Sequence, residues 1–391
     1  MSIDEDFFTN PYPYYLENRL SNTLKYFELN EEYESPGFWG IFRYNEALEI
    51  FKNTISTSKD FSLIKDEQYK NIYDLHLLNR DNEAHARLRK LTLSYFATKS
   101  IIDFNGNIEK VIEKQINFIK NKSEINLIRD FADEIPVHVI LKIIGIETEE
   151  ISSIKKWLNS ILIDSLLLDE SLKLERKNAL NELTLFVKDS ISNKNIYHKH
   201  SLICSLIDAT KNGKLNQDEL IAYIMFLIVA GHQTSADLIG NSLYMLLVSK
   251  DLFFSIISNP MLVDSFIEEV LRYESPVQRT TFRVLNEDTF ISGTKLKQGD
   301  QVRIFIGSVN RDGGVFTNPD VFDIYRKPNA HFAFGLGAHN CLGQFLARAE
   351  AKISILKISQ LLTKFNLVND KPQWKRSNFS RGLEEIKVSR F

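Results

Sequence analysis

From Leu220 to Gly231 the chain carries no charged side chain, and Leu, Ile, Ala, Met, Phe and Val fill every helical face. A helix with no face to give to water must be buried all round. Asn216 and Glu219 stand three apart just before this run, the spacing of a capping box, which fixes where the helix starts. Continued to about Leu247, it has roughly 32 residues and a length of about 48 Å. A buried helix of that length crosses the middle of a protein, and the rest of the chain must wrap it. The uncharged run is about a dozen residues, too short to span a membrane, which takes about 20. A polar stretch, Gly231-His232-Gln233-Thr234-Ser235, interrupts the apolar pattern. Two readings stay open for it. Either the helix kinks there, with Thr and Ser bonding back to carbonyls one turn earlier, or the stretch lines a site, since polar groups cost free energy in a dry core.

The rest of the chain suits a wrapping of helices. Gly (16) and Pro (9) are both scarce among 391 residues, against average usage of about 7% and 5%. Helical patterns run from about 83 to 273. Strand-like runs with turn signals lie at about 25–60 (GFWGIFR) and 277–306 (TTFRVL, DTFISGTKL, DQVRIFIG). The expectation is a mostly α fold with a minor β portion, one domain over 1–391. A net charge of −3 points away from nucleic acid as a partner. Two cysteines, Cys204 and Cys341, exclude a disulfide framework and a four-cysteine metal site, and suit a reducing cytoplasm. The acidic start, MSIDEDFFTNPYPYY, lacks the basic and apolar regions of a signal peptide.

Chemistry concentrates at His331-Phe-Ala-Phe-Gly-Leu-Gly-Ala-His-Asn-Cys341-Leu-Gly343, followed by the helical pattern QFLARAEAKISIL. Gly335 and Gly337 permit a tight turn. Cys341 stands at the entry to a helix, whose amide groups favour a thiolate. Gly343 lets that helix lie against a flat partner. Cys204 reads as an inert apolar residue.

Phe334, Gly337, Cys341 and Gly343 are in register with Phe-x-x-Gly-x-x-x-Cys-x-Gly, and the segment resembles the haem-ligand loop of the cytochrome P450 family. Four further segments match in order. Glu269-x-x-Arg272 resembles the family's structural ion pair, which locks to the region of Asn310-Arg311-Asp312 and Phe322-Asp323. His85-x-x-x-Arg89, on a helix starting near Asn82, puts both side chains on one face and resembles a pair of haem-propionate ligands. Arg283, His331 and His339 are further propionate candidates, with Arg279 the neighbour most easily confused with Arg283. Ala230-Gly231-His232-Gln233-Thr234-Ser235 resembles the acid–alcohol segment of the family's long central helix, which passes over the haem.

The resemblance implies a single-domain P450 fold with the ligand loop at 334–343. Cys341 would be the axial thiolate of haem b, a ligand that favours cleavage of bound dioxygen. Phe334, Gly343, Ala230 and Gly231 would line the haem, and Thr234 with Gln233 would serve the proton path. Gln233 departs from the pattern, because an amide cannot ionise where the family has an acid. The implied reaction inserts one atom of O2 into an apolar substrate, with electrons from a ferredoxin and its reductase. Segments 61–80, 155–175, 277–283 and 377–382 are expected to line the pocket. A polyketide or peptide scaffold, free or on a carrier, fits their Leu, Ile, Phe and Tyr content. Arg87, Lys90, Arg348 and Lys352 would form a basic dock. Because of Gln233, two other readings stand beside this one: a peroxide-driven or non-hydroxylating enzyme (coupling, desaturation), and a haem-binding sensor without turnover.

Overall fold

The structure is a computed structural model, and it describes residues 5–28, 37–52, 57–60, 72–163, 169–193, 201–368 and 371–391. Two compact units emerge from the packing of the backbone.

One unit comprises residues 1–70, 258–342 and 373–384. Its sheet has five strands, in the order Lys25–Glu28, Gly37–Ile41, Gln301–Ile304, Arg283–Leu285 and Thr57–Ser58. Gly37–Ile41 runs parallel to Gln301–Ile304, pairing Trp39 with Val302 and Ile41 with Ile304. Inward-facing Ile41, Val302 and Ile304 pack with Ala47 and Phe51 of the helix Tyr44–Lys52, and with Val309 and Phe332. A hairpin joins Thr289–Ile291 to Thr294–Leu296. Its turn puts both Ser292 (φ 48°) and Gly293 (φ 73°) in the left-handed region, the turn whose twist matches a two-residue hairpin. The segments GFWGIFR, TTFRVL, DTFISGTKL and DQVRIFIG therefore all supply strands.

The other unit comprises residues 71–257, 343–372 and 385–391. Its axis is the helix Gln217–Leu247, buried along most of its length. The Asn216 side chain accepts from the Glu219 amide at 2.8 Å, and Glu219 accepts from the Asn216 amide at 3.0 Å, so the capping box is complete. By length and composition this helix could cross a membrane, but 67% of its most apolar window is buried inside the protein. The helices Ile135–Ile144, Glu170–Ser192 and Gln344–Leu362 pack against it. A small antiparallel sheet of Glu124–Asn126, Lys387–Arg390 and Phe365–Leu367 completes the unit.

The polar stretch at 231–235 does not break the helix, which is continuous from Gln217 to Leu247. Gly231 has a packing cause instead. A Cβ there would meet Ile140 Cγ1 at 2.8 Å, so the missing side chain lets Ile135–Ile144 approach closely.

Gly106, inside the helix Thr98–Ile119, has nothing within 4 Å of an added Cβ. Two helical glycines should therefore respond with opposite signs in urea unfolding. Gly106→Ala should stabilise by about 0.5–1 kcal/mol, the helix-propensity gain. Gly231→Ala should destabilise by about 1–3 kcal/mol through overpacking. Equal shifts of the same sign would remove Ile140 as the cause.

Candidate active site

In the first unit, a buried ion pair anchors the ligand loop. Glu269 and Arg272, both 0% exposed, lie one helical turn apart on Val263–Tyr273. Arg272 Nε and Nη2 donate to the two Glu269 oxygens at 2.8 and 2.7 Å. The guanidinium also donates to the carbonyls of Asn310, Pro319 and Val321 at 3.1, 2.7 and 3.1 Å. Glu269 in turn accepts from the Asp323 amide at 2.8 Å and from Arg326 and Asn329. Asn310 carries the order onward. Its amide donates to Ser275 Oγ, and its oxygen accepts from the Phe332 amide at 2.7 Å. Arg311 lies between the rings of Tyr12 and Tyr273, 3.3 and 3.6 Å from their centroids.

From Phe332 the chain turns on itself. The Gly335 amide donates to Phe332 O at 2.8 Å, Asn340 to Gly337 O at 3.0 Å, and Cys341 to Phe334 O at 2.9 Å. Gly335 (φ 65°) and Gly337 (φ 77°) adopt the left-handed region, and a Cβ on Gly337 would strike Phe51 O at 2.7 Å. Both glycines are thus obligatory for the turn. Phe51 also receives the Arg283 guanidinium, 5.7 Å from its ring centroid. Phe51 therefore links Arg283 to the loop of Phe334, His339 and Cys341. Arg279 is separate: it donates to Asn378 Oδ1 at 3.0 Å and lies over Phe38.

His331 has other work. Its Nδ1 accepts from the Ala333 amide, which places the ring hydrogen on Nε2, 3.1 Å from Glu268 Oε2. Both nitrogens are thus engaged and the side chain is 4% exposed, so His331 is held to Glu268 at the start of the loop.

In the second unit, Gly343 precedes the helix Gln344–Leu362. Among the described residues nothing lies within 4 Å of a Cβ built on Gly343, so their packing does not explain that glycine. His85, 4% exposed, and Arg89 share one face of Asn82–Thr92. Tyr223 of the long helix holds that helix by donating to Leu88 O at 3.2 Å and bonding Thr92 Oγ1 at 2.6 Å. On the long helix, Ala230 is exposed and Gly231, Gln233 and Thr234 are partly exposed, amid a run that is otherwise buried. Thr234 Oγ1 donates to Ala230 O at 3.1 Å, and Gln233 Nε2 donates to Asp237 Oδ1 at 2.8 Å.

Two buried polar groups were not marked by the sequence. His232 turns its Nε2 to Asp133, 3.3 Å from Oδ1. Burial raises the Asp133 carboxyl, but His232 and Lys155 outweigh it and hold the group well below the usual carboxylate range. Glu350, on Gln344–Leu362, is 0% exposed, and Ser235 is the one polar side chain near its carboxyl, short of good hydrogen-bond geometry, among the described residues. Burial pushes it up to about 8, with Ser235 opposing. Their partners come from distant segments, so local spacing carries no signal for them.

Of the pocket-lining segments, 277–283 and 377–382 pair with each other through a Val277–Ser380 bridge and a Gln278 amide donating to Phe379 O at 2.8 Å. Residues 61–71 and 164–168 lie outside the described residues. Arg87, its side chain 38% exposed, is paired with Glu219 Oε2 at 3.1 Å and donates to Lys214 O.

Within the first unit, the chemistry of a cysteine at a glycine turn, with Arg283 against Phe51 beside that turn, is of the kind that suits a group carrying a soft-metal centre and carboxylates. The cytochrome P450 family model matches residues 43–384. A "Cytochrome P450" of Bacillus subtilis (strain 168) is 34% identical over 97% of this chain and 93% of its own length. The "Biotin biosynthesis cytochrome P450" of the same organism is 32% identical over 99% and 98%. A solved structure of P450BioI, in complex with an acyl carrier protein ligated by hexadec-9Z-enoic acid, superimposes with a TM-score of 0.90 at 30% identity. That match covers 99% of this chain and 100% of the other. The chain belongs to the cytochrome P450 family. It is accordingly an oxidoreductase of the monooxygenase kind, using haem and dioxygen.

Glu350 makes stability depend on pH. Its folded value lies above the ordinary 4.5, so folding takes up a proton between about pH 4.5 and 8, and stability falls as pH rises through that window. The full effect is up to roughly 5 kcal/mol. Thermal unfolding of Glu350→Gln should show a flatter pH dependence than wild type, with the variant gaining relative stability toward pH 8. Parallel curves would contradict this. Breaking the other buried pair with Glu269→Ala should cost about 3–5 kcal/mol, with loss of haem uptake; unchanged uptake in that variant would separate the pair from the loop.

Proposed function

We propose that Cys341 is the axial ligand of haem b, and that the chain works as one catalytic domain inserting oxygen into an apolar substrate. The observation that carries this is the self-closed turn from Phe332 to Cys341, which presents a cysteine three residues before a helix and beside the open side of Gly343. The haem, when bound, supplies the activation of dioxygen. The chain supplies the rest. His85, Arg89, Arg283 and His339 would hold the propionates, with His331 bonded to Glu268 beside them in sequence. Ala230, Gly231, Phe334 and Gly343 would offer the haem surfaces without polar side chains. Thr234 keeps its hydroxyl hydrogen on Ala230 O, so its lone pairs remain to accept a proton-bearing group.

The substrate we infer is an apolar chain or scaffold of moderate size, such as a polyketide or peptide intermediate, presented free or on a carrier protein. Support comes from relatives: one is described as a polyketide biosynthesis cytochrome P450, and a structural neighbour holds a fatty acid on its carrier protein. Electrons come from a ferredoxin and its reductase in the cytoplasm, docking through Lys90, Arg348 and Lys352.

The dithionite-reduced protein with carbon monoxide should absorb near the wavelength that gives the family its name. Cys341→Ala should abolish that band while far-ultraviolet circular dichroism stays unchanged. A band that survives the substitution overturns the ligand assignment. Adding an acyl chain on carrier protein, or the same chain free, should shift the spin-state spectrum. A shift with neither form, across apolar scaffolds, would overturn the substrate class.

A further inference from the structure

Glu274 follows the helix Val263–Tyr273 directly, and its carboxylate, buried at 7% exposure, gathers donors from three distant segments. The Tyr12 hydroxyl donates to Oε2 at 2.7 Å, from the first turn of the helix Tyr12–Leu20. Arg311 Nη2 donates to Oε1 at 3.3 Å, and Arg381 Nε donates to Oε2. Arg381 is itself buried. Its Nη1 and Nη2 donate to the carbonyls of Phe8 and Thr9, both at 3.3 Å. The same guanidinium lies 3.6 Å from the ring centroid of Trp374 and 5.3 Å from that of Tyr12. A carboxylate with three donors, two of them cationic, is compensated for its burial and held in one orientation.

What Glu274 holds has little regular structure of its own. Residues 375–382 form no helix or strand beyond an isolated bridge at Ser380. Their path is set by bonds to residues 274–279. The Arg381 amide donates to Pro276 O at 2.8 Å, the Gln278 amide to Phe379 O at 2.8 Å, and Arg279 Nη2 to Asn378 Oδ1 at 3.0 Å. Segments 277–283 and 377–382 are the two that the resemblance assigns to the substrate pocket. On the other side of Glu274, Arg311 adjoins Asn310, whose side-chain oxygen accepts from the Phe332 amide where the cysteine loop begins. One carboxylate therefore joins the N-terminal helix, the paired segments and the framework of the Cys341 loop, all within the first unit.

We propose that Tyr12, Glu274 and Arg381 are positioning residues for substrate specificity. Through one buried carboxylate, the N-terminal helix sets where residues 377–382 stand relative to the cysteine loop, and so which carbon of an apolar chain is presented. All three act through the wall they hold, without touching the substrate. The inference rests on the monooxygenase reading given above, and it adds the N-terminal helix as a determinant of pocket shape.

Tyr12→Phe is the mildest variant, because it removes one hydroxyl and keeps the ring beside Arg311. Straight-chain fatty acids of increasing length, free and on a carrier protein, serve as probes. Tyr12→Phe should keep wild-type haem content and carbon monoxide spectrum. Half-saturation of the spin shift, and KM, should rise about tenfold, below the roughly 100-fold that an ångström of misplacement can cost. The value of kcat should change little, and the spread of oxidised carbons along the chain should widen. Arg381→Lys, which keeps the charge and loses the planar fork, should behave alike. Unchanged KM and product spread in both variants would overturn the proposal.

Amide hydrogen exchange, read on the protein with and without haem, separates this inference from the reading it rests on. Peptides over 276–280 and 377–382 should exchange faster in Tyr12→Phe than in wild type, while 332–341 stays equally protected. Unaltered exchange over the first two spans overturns the proposal. Faster exchange with unchanged KM and product spread also overturns it, because the clasp would then be structural alone. Faster exchange in the variant, with neither spin shift nor product from any probe in wild type, would instead overturn the apolar-substrate reading.

Discussion

Two opposite charges, Glu269 and Arg272, sit with no exposure at all. Taking both out of water costs several kcal/mol per ion, and their mutual attraction offsets this only when the remaining donors and acceptors are filled. Here they are. Arg272 donates to three carbonyls besides Glu269, and Glu269 accepts from an amide, an arginine and an asparagine. The consequence is geometric more than energetic. The segment from Asn310 to Asn329 has no regular secondary structure beyond Asn310, yet its path is set by the bonds it makes to one fixed pair. Asn310 then fixes where Phe332 begins the glycine turn. The position of Cys341 is thus inherited, bond by bond, from a helix about seventy residues upstream in sequence.

What the sequence made legible were features with a local cause. The capping box at Asn216 and Glu219 closes within one turn, so spacing alone announces it. The left-handed glycines at 335 and 337 are fixed by backbone sterics, which act between neighbours. The all-round apolar run had one physical outcome, burial, and the helix Gln217–Leu247 met it. The features that stayed hidden depend on residues far along the chain. Gly231 stands at the head of the stretch where a kink was one of two readings, and its cause is Ile140. His331 looked like a donor for an acidic ligand, and Glu268 occupies it. Arg87 looked like open surface charge, and it is half-exposed with Glu219 beside it. In each case the partner lies far along the chain, where local spacing carries no signal.

The buried acids sharpen this point. Asp133 and Glu350 are both carboxyls in low-dielectric surroundings, yet they move in opposite directions. Asp133 has His232 and Lys155 beside it, and their positive charge and hydrogen bonds favour the ionised form over the cost of burial. Glu350 has only the weak influence of Ser235, so desolvation wins and the proton stays on to about 8. Nothing in the residue letters distinguishes the two; the count of compensating donors does.

A fully buried helix is an unusual place for polar residues, and the arcs of the central helix show how the chain tolerates them. His232, Gln233 and Ser235 are nearly adjacent in sequence, but rotation by about 100° per residue sends each to a different environment. His232 has Asp133 against its Nε2, and Gln233 has Asp237. Compensation in the middle of the helix is partial, because the buried His232 Nδ1 has no partner among the described residues. Where compensation is thin, as at Ser235 and Glu350, the structure holds a proton instead of a charge.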